Sequence, residues 1–370
     1  MTLHALTVAA ALLAWAALQA PAPTPASSPS RVVAVGDVHG GFEEFVRVLQ
    51  DAGVINRRRQ WSGGRTQLVQ TGDILDRGPH SRKVMDLLIN LEKQAAKAGG
   101  RVHALIGNHE VMNLAGDLRY VSPEEFAAFR TPDSESLRDT AYERLADPIR
   151  RKDPVYRDAW KTERPLGWVE HRLAFGSDGK YGRWLRERNV VAIVDGALFV
   201  HGGISPKYAS QTADQLNEAV RAELADMTRL IDGVALDVDG PLWYRGLALV
   251  PEDQIAPHVD LLLAHHDVTR IVIGHTVTPG AILPRLRGKV LMIDVGLSEA
   301  YGGRQACLVL EQGFAFARHR GTRLDVPSGH DLLGYLKAAA ALDPAPSPLL
   351  PLIANDGRFP VPGTAGAPPE

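Results

Sequence analysis

Val32-Val33-Ala34-Val35-Gly36-Asp37-Val38-His39-Gly40 decides how the rest of this chain is read. Four consecutive apolar residues make a run expected of a strand buried on both faces. The run ends in a glycine, an aspartate and a histidine. A strand-like run ending in glycine beside a metal-ligand residue recurs four times. Leu68-Val69-Gln70 leads into Gly72-Asp73-Ile74-Leu75-Asp76-Arg77-Gly78, and Val102 to Ile106 leads into Gly107-Asn108-His109-Glu110. Ala197 to Val200 precedes His201-Gly202-Gly203, and Arg270 to Ile273 precedes Gly274-His275. Ligands of open α/β sheets bind beyond the carboxyl ends of strands. Glycine there permits a sharp turn and close approach to a bound group. One such segment alone reads as a turn or a helix N-cap; five at successive strand ends define a site.

Between these segments the periodicity changes to that of helices. Phe42, Phe45, Val46 and Leu49 share one face, as do Val84, Leu87, Leu88 and Leu91 in Ser81 to Ala98. Further strands are expected over Val190 to Val194, Lys289 to Ile293 and Ala306 to Leu310. This alternation predicts an α/β fold with helices covering the sheets. Residues 113–187 carry no strand pattern and are rich in charge and aromatic rings, so they read as a helical insertion. Ser122-Pro123-Glu124-Glu125 reads as a capping box with proline at the first helical position, followed by helices through Phe126, Phe129, Leu137 and Leu145. Its place beside the third motif leaves two roles open, a lid facing the substrate or simple packing.

The bulk numbers exclude several classes. Lys plus Arg total 41 against 43 Asp plus Glu, a net charge of -2, so no global basic field favours nucleic acid. The single cysteine, Cys307, allows no internal disulfide and lies in an apolar run expected to be a buried strand. Thr7 to Ala20 is almost wholly apolar, shorter than a membrane span, and followed by Pro- and Ala-rich sequence. Residues 1–26 therefore read as a signal peptide, with 27–30 a linker. The expectation is export to the periplasm or exterior without stable membrane insertion once the signal is removed; a retained membrane anchor is the alternative. The catalytic domain is placed at 31–342, and the proline-rich 343–370 is expected to be an extended tail.

Asp37, His39, Asp73, Asn108, His201 and His275 combine oxygen and imidazole donors. Such a set suits Mn, Fe or Zn better than Mg or Ca. Two divalent ions with few ligands call for a shared carboxylate, and Asp73 is the candidate. Two ions about 3.5–4 Å apart activate a bridging water and clamp a phosphoryl group. Arg77 suits bidentate phosphate binding, and Arg245 in Leu242-Trp243-Tyr244-Arg245-Gly246 is a second candidate. His109 adjoins a ligand and is the natural general acid for the leaving group, oriented by a carboxylate such as Asp76. His265 and His266, at the end of an apolar helix, read as structural.

With those residues assembled, the chain resembles the metallo-dependent phosphoprotein phosphatases of the calcineurin-like superfamily. The motifs Gly-Asp-x-His-Gly, Gly-Asp-x-x-Asp-Arg-Gly, Gly-Asn-His-Glu, His-Gly and Gly-His run in that family's order from Val32 to Val295. The resemblance implies a two-sheet β-sandwich flanked by helices. It implies one metal on Asp37, His39 and Asp73, and another on Asp73, Asn108, His201 and His275. It also implies phosphate contacts from Arg77 and Arg245, with His109 as acid and Asp76 its partner. Gly274-His275-Thr276 and the long helical segment look like the Shewanella-like protein phosphatase branch. The Ser-Ala-Pro-Asn-Tyr segment of eukaryotic Ser/Thr enzymes is replaced by Asp294-Val295-Gly296-Leu297-Ser298-Glu299-Ala300-Tyr301. The expected activity is phosphomonoester hydrolysis on a phosphorylated protein or peptide, phosphotyrosine or phosphoserine/threonine, with a hydroxide bridging two metals as nucleophile. A dinucleoside polyphosphate hydrolase or other small-molecule phosphoesterase is the alternative. The hydrolase motif of the former typically ends in Asp where this chain has Glu110.

Overall fold

The computed structural model describes residues 31–329 and 331–358. Residues 1–26, expected to be a signal peptide, the expected linker 27–30 and residues 359–370 of the tail lie outside the described residues. Eleven strands are described: β1 Val32–Val35, β2 Gln67–Gln70, β3 Arg101–Ala104, β4 Val191–Val194, β5 Ala197–Val200, β6 Arg270–Ile273, β7 Leu283–Arg285, β8 Val290–Met292, β9 Ala306–Glu311, β10 Phe314–His319 and β11 Thr322–Asp325. They form a six-stranded sheet ordered β11-β10-β9-β1-β2-β3 and a five-stranded sheet ordered β4-β5-β6-β8-β7. In each sheet the strands feeding the motifs are parallel neighbours: β1 with β2 and β2 with β3, then β5 with β6 and β6 with β8. Parallel neighbours end on the same edge. That arrangement delivers the scattered motifs to one place.

β1 and β5 are buried along their whole length, which explains their unbroken apolar sequence. One continuous apolar core takes side chains from both sheets and from the helices Phe42–Asp51 and Ser81–Lys97. Burying a leucine or valine there contributes about 1.5–3 kcal/mol each. Cys307 sits in β9 and is 1% exposed; burial pushes its thiol up to about 12, so it is chemically quiet.

Among the described residues, 113–187 hold helices and no strand. These include Pro123–Ala127, Ser134–Leu145, Pro154–Glu163, Trp168–Phe175 and Lys180–Arg186. Tyr142, Ala146 and Trp160 make a small core of their own, with the two rings 5.2 Å apart. The Ser122 cap forms as expected, its Oγ accepting the Glu125 N–H at 3.2 Å. The reciprocal half of the capping box does not. Glu125 instead accepts the N–H groups of Ser81 and Arg82 at 2.9 and 3.1 Å. His80 gives that helix no side-chain cap, and Glu125 satisfies donors that would otherwise be orphaned.

The expectation of an extended tail fails over its first part. Asp343 accepts from Ser347 Oγ at 2.7 Å and Arg320 Nε at 3.2 Å. Leu350–Ala354 is a helix packed on Leu332–Ala340, with Leu349 and Leu352 buried. Pro351 is tolerated because the first helical turn needs no N–H from it. No helix of the described residues is long and apolar enough to cross a membrane.

Candidate metal centre

Every motif residue is carried to the shared strand edge. Asp37 and His39 follow β1, Asp73 to Arg77 follow β2, and Asn108 and His109 open the helix Asn108–Ala115 after β3. His201 follows β5 and His275 follows β6. Glycine is demanded by contact here. A Cβ on Gly107 would lie 2.2 Å from Asp73 Oδ1, and one on Gly274 would lie 2.4 Å from Asp37 Oδ1.

Asp73 is the hub. Its Oδ2 lies 3.3 Å from His201 Nε2, 3.7 Å from His39 Nε2 and 3.9 Å from His109 Nε2. Burial alone would push this carboxyl up. The facing His201 and His109 overturn that and hold it well below the usual carboxylate range. Two groups of ligand atoms share it, His39–Asp73–His109 and Asp73–His201–His275, each within 4.8 Å. Asp37 stands outside both groups. Its oxygens accept the His275 N–H at 3.1 and 3.0 Å, and Oδ1 is 4.0 Å from His201 Nδ1. Burial, then the charges of Asp294 and Asp73, raise the Asp37 carboxyl well above its ordinary value.

The imidazoles show that this centre fits a cation. His39 Nδ1 donates to Leu75 O at 2.8 Å, His201 Nδ1 to Thr71 O at 3.0 Å and His275 Nε2 to Trp243 O at 3.2 Å. Each bond to a carbonyl fixes the proton on that nitrogen and leaves the other nitrogen as a lone pair. Burial first of all depresses His39 to about 4 and His275 well below its ordinary value, so both rings are neutral. In this tautomer His201 Nε2 faces Asn108 Oδ1 at 2.9 Å and Asp73 Oδ2 at 3.3 Å. Two carboxylate or amide oxygens and an imidazole nitrogen thus converge on one point. A divalent ion is the partner that such a donor set accepts.

His109 is treated differently. Its Nδ1 donates to Asp76 Oδ2 at 2.6 Å, and Asn113 Nδ2 holds the other Asp76 oxygen at 2.8 Å. Burial works against its charge, but Asp73 and Asp76 prevail and lift it to about 9. At neutral pH it is an imidazolium with Nε2–H turned toward the centre. Arg77 is half-buried, its guanidinium carbon 4.0 Å from the Tyr120 ring centroid and 5.9 Å from that of Tyr301. Arg245 lies against the other flank, donating to His275 O at 2.6 Å and Thr276 Oγ1 at 3.3 Å.

Two acidic residues have parts that sequence reasoning missed. Glu110, fully buried, accepts from Gly107 and Asp73 on Oε2 at 2.7 and 2.8 Å, and from Ile74 and Leu75 on Oε1 at 2.7 and 3.1 Å. It ties the third motif to the loop bearing Asp73. The Gly107-x-x-Glu110 spacing of a capping box was the available signal. Asp294, beyond β8, takes the Gly296 N–H on Oδ1 at 3.0 Å, and its carboxyl raises the pKa of Asp37. Its Oδ2 has no donor. Burial chiefly pushes Asp294 up to about 6. No local pattern marked it, because its contact with Asp37 is purely tertiary.

Two mixed sheets with a His/Asp centre at their shared edge define a metallophosphoesterase. Residues 30–279 match the calcineurin-like phosphoesterase family, and the chain belongs to it. It is 33% identical over 293 residues to an uncharacterized Schizosaccharomyces pombe protein, covering 77% of this chain and 78% of that one. It is 30% identical over 286 residues to Shewanella-like protein phosphatase 2 of Arabidopsis thaliana, covering 73% and 72%. The solved cold-active protein-tyrosine phosphatase of a psychrophilic Shewanella species superposes with a TM-score of 0.62, 30% identity and 80% coverage of each chain. The chain is thus a hydrolase of the metallophosphoesterase class.

Proposed function

We propose that this enzyme is a phosphoprotein phosphatase that hydrolyses phosphotyrosine or phosphoserine/threonine monoesters. The observation that carries the reading is Asp73 Oδ2 facing three imidazoles, one of which, His109, is braced by Asp76. Asp37, His39 and Asp73 would hold one divalent cation, and Asp73, Asn108, His201 and His275 the other. Mn, Fe or Zn suits these donors. When bound, the pair supplies an activated water and charge against the phosphoryl oxygens.

The chain's own residues supply the rest. Arg77 and Arg245, on opposite flanks, bind the non-reacting phosphate oxygens. His109 gives its Nε2 proton to the leaving oxygen, and Asp76 fixes the ring so that this proton points inward. Passive cation storage requires neither group. Support for a protein substrate comes from the relatives named as protein phosphatases, and for phosphotyrosine from the Shewanella structure.

The test is a comparison of a phosphotyrosine peptide, a phosphoserine peptide and diadenosine tetraphosphate on metal-loaded enzyme. One of the peptides should exceed the dinucleotide by about tenfold or more in kcat/KM. A dinucleotide preference of that size refutes the assignment. His109→Ala should lower kcat by about 10²–10⁴-fold with metal content unchanged.

A further inference from the structure

We propose that Tyr120 is the positioning residue that fixes Arg77, so that the helical insertion completes the phosphate subsite. The inference rests on the phosphate-binding role assigned to Arg77 above. It concerns a residue outside the five motifs.

Arg77 is held in an unusual way. Asp76 and Arg77 are consecutive non-glycine residues with φ of 71° and 64°. Left-handed backbone at such residues is costly and needs external restraint. The restraint comes from the insertion, since the Arg77 N–H donates to Tyr120 O at 2.9 Å. The same residue then lays its ring on the side chain, 4.0 Å from the guanidinium carbon. Arg119 covers Tyr120 from its neighbouring position, its guanidinium carbon 5.8 Å from the ring centroid. Tyr301 stands at 5.9 Å from the Arg77 guanidinium carbon.

Arg77 Nε is buried and has no hydrogen-bond partner among the described residues. A guanidinium held by a ring face keeps its planar fork of donors for two oxygens of a phosphate. The Tyr120 ring also lies 5.2 Å from the His109 ring, so one side chain touches both the phosphate arginine and the candidate acid. The insertion is docked firmly enough to do this. Glu125 caps Ser81 and Arg82, just beyond the Arg77 loop, and Ser122 Oγ reaches Gly78 O at 3.5 Å. Two roles for the insertion, lid or packing, were open from sequence. The contacts of Tyr120 make it part of the site.

The experiment compares Tyr120→Ala, Tyr120→Phe, Arg77→Ala and the double variant Arg77→Ala/Tyr120→Ala on a phosphotyrosine peptide. Competitive inhibition by inorganic phosphate and thermal melting are measured on each. Tyr120→Ala should raise KM about tenfold and weaken phosphate inhibition by the same factor, the value of a partly desolvated cation–π contact. The kcat should change by less than about threefold, because the lost interaction is present in ground and transition states alike. Tyr120→Phe keeps the ring and the backbone carbonyl and should restore wild-type KM. The double variant should be no worse than Arg77→Ala, since both act through one group. Additive losses in the double variant, equal loss in Tyr120→Phe, or unchanged phosphate inhibition in folded Tyr120→Ala overturns the inference. If Tyr120→Ala melts below the assay temperature, Tyr120→Leu takes its place with the same criteria. Should Arg77→Ala alone leave KM and phosphate inhibition unchanged, the phosphate role of Arg77 fails, and that outcome is distinct from failure at Tyr120.

Discussion

Acid should loosen the helical insertion through a single residue, His171. This histidine lies in Trp168–Phe175 and is 1% exposed. Its ring stacks on Phe175 at 4.4 Å and meets Phe129 and Phe126 edge-on at 5.0 and 5.3 Å. Nδ1 has no hydrogen-bond partner. Burial, with a smaller push from Arg172, lowers its pKa from 6.5 to about 3. Between those values the unfolded chain binds a proton there that the folded chain excludes. The stability is therefore fully present above 6.5 and is lost progressively as pH falls toward 3. At pH 5 the loss is about 2 kcal/mol, from roughly 1.5 pH units at about 1.36 kcal/mol each. The assay is urea unfolding followed by tryptophan fluorescence at pH 8 and pH 5, for wild type and His171→Phe. Other titrating groups are common to both proteins and cancel in the difference. Whatever the variant costs at pH 8, its stability should fall by about 2 kcal/mol less than wild type on acidification. Parallel curves would refute the assignment of a buried neutral ring. The consequence reaches the active site, since the same insertion carries Tyr120.

Glu110→Gln, assayed at pH 8 where the carboxylate is charged, replaces two accepting positions with an amide that faces N–H donors. It should cost about 3–5 kcal/mol and reduce metal retained after gel filtration; unchanged melting and metal content would count against the brace. Gly274→Ala forces a methyl against Asp37 Oδ1, 2.4 Å from the ideal Cβ, and should lower metal occupancy measured by elemental analysis more than it lowers melting temperature. Chelation should lower the melting temperature and Mn or Zn should restore it, by about 3–4 kcal/mol at 100–1,000 times the dissociation constant. Leu352→Ala opens a cavity under the C-terminal helix and should cost about 2–5 kcal/mol in urea unfolding, with kcat/KM unaffected.

The strands that carry ligands were legible because burial on both faces makes them continuous apolar runs. The strands missed are edge or near-edge strands. β7 contains Pro284 and is only Leu283–Arg285, so proline argued against it locally; it survives because it lies at the end of its sheet. β10 and β11 mix Arg, His, Thr and Asp with their apolar residues, and what makes them strands is pairing, β10 on β9 and β11 on β10. Site residues divide the same way. Asp37, His39, Asp73, Asn108, His201 and His275 announce themselves by glycine neighbours at strand ends. Glu110, Asp294 and Tyr120 act by reaching across to another segment. Glu110 spans 37 positions to Asp73, and Asp294 meets Asp37 because the chain leaving β8 passes the end of β1, where a Cβ on Gly36 would lie 2.8 Å from Asp294 Cα. The helix Leu350–Ala354 was hidden by Pro344, Pro346, Pro348 and Pro351, which signal extension until Leu349 and Leu352 find an apolar surface.

The distribution of backbone strain explains why so many of these cross-contacts exist. His39, Asp73, Asp76, Arg77 and His275 all have positive φ without being glycine. Each costs about 1–2 kcal/mol, and each has a side chain that the site needs, so glycine cannot relieve it. The glycines stand beside them instead, admitting neighbouring loops at close range. Those loops then hold the strained residues from outside. Asp73 O accepts the N–H groups of Val38 and His39, both at 2.9 Å, while Gly78 N–H returns to His39 O at 3.0 Å. Glu110 takes the Asp73 N–H, Tyr120 O takes that of Arg77, and Asp37 takes that of His275. Each of these five residues is thus clamped by a segment distant in sequence, four through the backbone and Asp76 through its side chain, by His109 and Asn113. The centre is rigid because its loops brace one another before substrate arrives. That is the condition under which charges and donors can favour a transition state without first reorganising.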